Sequence, residues 1–307
     1  MTTITRCRLA SDVDHLSRLQ LEEVHRKLKE QHARLSVELV SFEEGKSTAS
    51  SEHEPNSPTR MALLMKQLLG GKSDALVLNA AHLPAKLPDG LTIGAITNRL
   101  TPYDVLISST DCLLDELPEN ATVIANDIKR EAQLLYYRPD LKMVRSRGSV
   151  DSIIQKVKNA KVDAAVLAAG DVERLEKQDQ VVEFLTCSVC IPAAGQGSLA
   201  VLVRSSEEPA KKSFRSINDP ASYSEITAEF AFLDFVGVRE GAPVCVLGSI
   251  EGNKLELEGM VALPDGRERI REVVRGSVGH EAELGRKLAA EILDAGGKPL
   301  LQELNLL

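Results

Sequence analysis

Apolar residues along the chain fall into two alternating kinds of segment. Short unbroken runs, such as DALVLNAA (74–81), ATVIAN (121–126) and VDAAVLAAG (162–170), have the length and composition of buried strands. ITRCRLA, VELVSF (37–42) and KMVRSR (142–147) read as further strands. Between them, apolar positions recur at helical spacing. Val13, Leu16, Leu19, Val24 and Leu28 do so from Asp12 to about Leu35, and MALLMKQLLGG, IKREAQLLYY and DSIIQKVKN repeat the theme. Strand alternating with helix predicts parallel sheets joined by right-handed crossovers. The polar, Ser- and Pro-rich stretch EEGKSTASSEHEPNSPT (43–59) predicts a mobile loop.

The pattern changes after AAGQGSLAVLVRS. A polar break at Asn218–Pro220 precedes a helix, YSEITAEFAFLDFV. VCVLGSI, KLELEGMVAL and RERIREVVRG then read as consecutive antiparallel strands, with PDG turning between the last two, and EAELGRKLAAEILDAG closes the chain as a helix. The fold class expected is α/β in three domains. Two are α/β domains, residues 1–98 with 196–217 and residues 99–195, and the third is a small α+β domain, residues 218–307.

Charge narrows the function. The chain carries 37 basic and 45 acidic residues, a net charge of −8, which argues against a general binder of nucleic acid or anionic membrane. No apolar run is long enough to span a bilayer, and the N-terminus lacks the basic and apolar regions of a signal peptide, so a cytoplasmic monomer is expected. Five cysteines, an odd and sparse set, suit reduced thiols. CSVC (187–190) has the spacing of a zinc knuckle or redox pair, but no second pair or nearby histidine completes four ligands. It reads instead as a half-buried strand, and no metal is expected.

Four segments in order along the chain carry a resemblance: RPDLKMVRSRGSV (138–150), VDAAVLAAGDVERL (162–175), IPAAGQGSLAV (191–201) and LELEGMVALPDGRERI (255–270). Together they resemble the hydroxymethylbilane synthase, or porphobilinogen deaminase, family. The resemblance implies two domains like those of periplasmic binding proteins plus a third, with two segments crossing between the first two near 96–102 and 190–198. It also implies an activity: four porphobilinogen molecules condense head to tail with loss of ammonia, on a dipyrromethane primer held as a thioether to a cysteine. Such chemistry needs a carboxylate beside the reacting pyrrole and arginines for the acetate and propionate groups.

The resemblance places Arg6 at an arginine of the first strand–helix turn and Arg8 at that turn's serine. It sets Lys129 and Arg130 at paired arginines that hold the cofactor, and Arg147 and Arg174 at further substrate-binding arginines. Lys129 lacks the planar fork that grips a carboxylate. Other positions depart from the pattern. His82 stands where the family has its catalytic carboxylate, and Ala81 replaces the preceding lysine. A histidine exchanges protons near neutral pH but supplies no negative charge, and losing a preorganised charge costs about 3–4 kcal/mol. Asp127 brings a negative charge to a place suited to ligand carboxylates, an arrangement that requires pairing with Lys129 or Arg130. Ile153 stands where an arginine is expected.

EGAPVCVLGS (240–249) corresponds to the family's attachment loop. Aligned on LGS without a gap, Pro243 takes the attachment position and Cys245 falls two residues late. A two-residue shift keeps a side chain on one strand face but displaces it by about 7 Å. Cys245 is therefore either the primer's anchor or a small apolar residue of a strand. Two functions stay open, besides a remnant without ligand. The first is an enzyme polymerising porphobilinogen, with His82 as acid/base and Cys245 as anchor. The second is an inactive relative that binds a small polycarboxylate or tetrapyrrole precursor between the first two domains, without dipyrromethane.

Overall fold

A computed structural model describes residues 6–41, 58–237 and 241–303. The loop expected at 43–59 lies outside the described residues as far as 57. The chain begins with β1 (Arg6–Ser11), α1 (His15–Gln31), β2 (Ser36–Ser41), α2 (Pro58–Leu69), β3 (Ala75–Asn79) and β4 (Leu91–Ile96). It continues through β5 (Asp104–Ser108), β6 (Thr122–Ile124), α3 (Ile128–Tyr137), β7 (Lys142–Val144), α4 (Val150–Lys158), β8 (Ala164–Ala168), α5 (Ala169–Arg174) and β9 (Glu183–Leu185). Next come β10 (Leu199–Arg204), α6 (Glu208–Phe214) and α7 (Pro220–Val236). The last elements are β11 (Val244–Glu251), β12 (Lys254–Ala262), β13 (Arg269–Ser277), α8 (Glu281–Ile292) and α9 (Lys298–Glu303).

Local chemistry sets the helix starts. Asp14 accepts the Ser17 amide to cap α1, Asp127 accepts that of Lys129 to cap α3, and Ser149 accepts that of Ser152 to cap α4. The buried stripe of α1 is Ser17, Gln20, Leu21, Val24 and Leu28. Val13 precedes the helix and is exposed, a shift from the expected face that follows from the cap at Asp14.

Two five-stranded sheets have matching plans, β2-β1-β3-β10-β4 and β7-β6-β8-β5-β9. The expectation of wholly parallel sheets fails. β2, β1 and β3 run parallel, as do β7, β6 and β8, but β10 and β5 enter antiparallel. The crossover rule sets direction only where a helix links neighbouring strands. β10 instead returns to the first sheet after the whole second sheet, and β5 arrives directly from β4. The third sheet is the antiparallel meander β11-β12-β13. CSVC is not a strand: residues 187–189 form a turn in which the Val189 and Cys190 amides both donate to the Thr186 carbonyl at 2.9 Å.

The chain divides into two compact units, Met1–Arg99 with Ser198–Tyr223 and Leu100–Gly197 with Ser224–Leu307. The core of the first gathers Leu9, Val24, Leu28, Val77, Val201 and Phe214. Within the second unit, each face of the five-stranded sheet has a core, one around Leu106, Val123 and Leu134 and the other around Ile107, Ile154 and Val157. The meander has its own, built on Phe232, Leu257, Leu288 and Ile292. Helices α7 and α8 cross there at Gly285, where an added Cβ would lie 2.3 Å from the Ala228 carbonyl oxygen. Backbone cannot yield as a flexible side chain would. Gly285→Ala should therefore destabilise the protein by about 1–3 kcal/mol, read as a lowered midpoint in thermal or urea unfolding.

Candidate functional site

The second unit collects most of the residues singled out in the sequence. Its centre is Asp104, the first residue of β5, which is 1% exposed. Asp104 Oδ1 accepts Arg130 Nε and Gln196 Nε2, each at 2.9 Å, and Oδ2 lies 3.3 Å from the Cys190 thiol that donates to it. Arg130 Nη2 also donates to Gln196 Oε1 at 3.0 Å. Burial opposes the Arg130 charge, and Asp104 and Asp127 more than reverse that, holding the guanidinium above its ordinary value. Arg130 is thus committed to the protein.

Asp127 caps α3 through Oδ1, which accepts the Lys129 amide at 2.9 Å and lies 3.6 Å from Lys129 Nζ. Burial pushes its carboxyl up, and the charges of Lys129 and Arg130 with the Lys129 amide turn the balance to below the usual range. The pairing that the sequence required is present. The loop after β7 is tied to the same end of the sheet: Asn126 Nδ2 donates to the Ser146 carbonyl at 2.6 Å, and the Ser146 amide donates to Asn126 Oδ1 at 2.8 Å. Beyond Ser146, Arg147 is exposed and its guanidinium has no partner among the described residues. Arg174 serves the backbone, with Nη1 donating to the Gly170 carbonyl at 3.4 Å and Nη2 to that of Gly197 at 3.1 Å.

Cys245 lies in β11 opposite Met260 and is 0% exposed. Ala132, Ile191, Leu247, Met260 and Ala262 pack into the same cluster. Gln133 Nε2 lies 3.5 Å from its sulfur and 3.4 Å from that of Cys190. Burial drives the Cys245 thiol far above its ordinary value, so little thiolate forms. Cys187 is less enclosed, and burial with the Glu258 charge pushes it up to about 12.

Arg6 and His82 belong to the first unit. Arg6 opens β1, at the opposite end of the strand from the β1–α1 turn, and forms an exposed pair with Glu38 at 2.7 Å. Its expected place in the turn is corrected: the strand extends to Ser11, so the turn consists of Asp12, Val13 and Asp14. Arg8 is likewise a strand residue, gripping Asp74 through Nε and Nη2. The turn holds a buried ion pair instead, with Arg60 Nε and Nη2 donating to Asp12 Oδ1 at 2.9 and 2.7 Å. His82 ends a 3-10 turn, Ala80–His82, that follows β3 and is capped by Asn79.

Sequence reading missed Asp104, Gln133, Gln196 and Glu229. Glu229 is fully buried and accepts the amides of Gly195 and Gly248 at 2.6 and 2.7 Å. Its signal was present: a lone carboxylate within the apolar AEFAF requires partners. Asp104 is similarly the only charge entering the run DVLIS. Removing one member of a buried ion pair strands the other. Asp104→Asn should therefore cost about 3–5 kcal/mol in denaturant unfolding, whereas Arg147→Ala should change stability by less than about 0.5 kcal/mol.

Residues 8–212 match the family described as porphobilinogen deaminase, dipyromethane cofactor binding domain, and residues 223–294 match the porphobilinogen deaminase C-terminal domain. Porphobilinogen deaminase of Pelotomaculum thermopropionicum is 39% identical over 76% of this chain and 75% of its own length. That of Thermus thermophilus is 36% identical over 81% of this chain and 84% of its own. Among solved structures, the methionine binding protein MetQ superposes with a TM-score of 0.45 at 14% identity, over 71% of this chain and 92% of that one. The chain belongs to the porphobilinogen deaminase family.

Proposed function

We propose that this protein serves tetrapyrrole biosynthesis by binding a pyrrole precursor non-covalently, without a dipyrromethane primer and without polymerising porphobilinogen. The observation that carries this reading is the burial of Cys245 at 0% exposure. A thioether-bound primer needs an accessible thiolate and room for two pyrrole rings. Cys245 has neither, being enclosed by Ala132, Ile191 and Met260 with its thiol held protonated. Pro243, at the aligned attachment position, has no nucleophile. His82 at the carboxylate position supports the same reading, since an imidazole offers no negative charge to a cationic intermediate. Arg147 remains to hold a ligand carboxylate, because Arg130 and Arg174 are committed to internal acceptors.

The enzymatic reading is favoured by two findings, the match of residues 8–212 to the dipyromethane cofactor binding domain and the 36–39% identity to relatives named porphobilinogen deaminase. Intact-mass measurement with a porphobilinogen consumption assay separates the two. The expected result is the unmodified chain mass, no consumption, and calorimetric binding of porphobilinogen that Arg147→Ala weakens about tenfold, a loss of about 1.4 kcal/mol for one charged hydrogen bond. A mass increment of two linked pyrroles that disappears in Cys245→Ala, with porphobilinogen consumed, would refute the proposal.

A further inference from the structure

A cleft of about 260 Å3 opens in the first unit, between the last turns of α1 and the segment that joins α6 to α7. Lys27, Glu30 and Gln31 of α1 line one side, and Asn98, Asn218 and Asp219 line the other. The second side is fixed by the end of β4. The Asp219 amide donates to the Ile96 carbonyl at 2.8 Å, and Asn218 Oδ1 accepts the Ile96 amide at 2.9 Å. With that oxygen in use, Asn218 keeps its Nδ2 as a donor. Asp219 Oδ1 accepts the amide and the hydroxyl of Ser222 at 2.8 and 2.7 Å, while Oδ2 has no hydrogen-bond partner among the described residues. His32 Nε2 lies 2.9 Å from Ser216 Oγ, which ties α1 to the same segment.

Two opposite charges line this cleft without pairing. Glu30 is neutralised by Arg26 at 2.9 Å. Lys27 Nζ stays 3.7 Å from Glu23, beyond a hydrogen bond, and Asp219 has no basic partner among the described residues. A phosphate entering the cleft would meet the Asp219 carboxylate, and a simple amine would meet the Lys27 ammonium. A molecule that carries both signs of charge satisfies both groups. Size narrows the class further. The volume equals that of about nine water molecules, which suits a ligand of amino-acid size and leaves no room for two linked pyrroles. Apart from Ile217 the lining is polar, so an apolar ligand has little to contact.

We propose that this cleft binds a small zwitterion of amino-acid size, with its ammonium on Asp219 Oδ2 and its carboxylate on Lys27 and Asn218 Nδ2. The site is independent of the pyrrole-binding reading, in which none of these residues takes part.

Calorimetry on the full-length protein at low salt tests it. Glycine, β-alanine and 4-aminobutyrate serve as zwitterions of increasing charge separation, and propylamine and butyrate each lack one charge. At least one zwitterion should bind tenfold or more tightly than either singly charged probe. Lys27→Met keeps the apolar stem, and Asp219→Asn keeps an oxygen for the Ser222 amide. Each should weaken that binding about tenfold, while both keep the wild-type unfolding midpoint. Failure of all three zwitterions to bind would overturn the proposal. So would equal binding of propylamine or butyrate, or undiminished binding in either variant.

Discussion

The second unit is organised around a carboxylate that water does not reach. Asp104 has Arg130, Gln196 and Cys190 as donors, so it links β5, α3 and the segment that leads back to the first sheet. A buried charge is tolerated only when its partners are fixed. Those partners in turn fix others: Gln196 Nε2 reaches the Pro102 carbonyl, and Gln133 joins the Ile191 backbone through both a donor and an acceptor. Glu229 does the same from α7, clamping the amides of Gly195 and Gly248. The turn at residues 193–197 is therefore held by side chains from β5, α3, α5 and α7, and the conformations of Gly195 and Gly197, with φ of 76° and 93°, suit glycine.

This network gives Arg130 and Arg174 internal partners. Arg130 satisfies Asp104, and Arg174 satisfies two carbonyls, so both are required by the fold itself. The same economy occurs in the first unit, where Arg60 neutralises Asp12 and Arg8 neutralises Asp74. Breaking the Arg130–Asp104 or Arg60–Asp12 pair would leave a charged partner buried, so the fold itself holds these residues in place.

Much of the architecture was legible along the chain. Unbroken apolar runs marked β3, β6 and β8, helical spacing marked α1, α3 and α4, and consecutive strand patterns with PDG marked the meander. Failures arose where the decisive partner is remote. The two antiparallel entries, β10 and β5, depend on where the chain re-enters a sheet, which periodicity does not encode. CSVC resembled a strand because its residues are small and apolar, yet two amides converging on Thr186 make it a turn. Arg6 was misplaced by the resemblance, whereas the apolar pattern had set it within the strand ITRCRLA, where the six-residue β1 holds it.

By itself the sequence determined the α/β class, much of the order of elements and the family. Those follow from local pattern, since side-chain period and turn residues act within a few residues. Only the tertiary structure decided which charges are available. Arg130 and Arg147 are both basic residues in basic-looking segments, but one faces Asp104, 26 positions away, while the other faces solvent. Cys245 was likewise ambiguous as a residue type and became a core side chain through neighbours drawn from α3, β12 and the segment at Ile191. Burial and pairing are set by distant parts of the chain meeting in space, and these govern whether a thiol ionises or a guanidinium can bind.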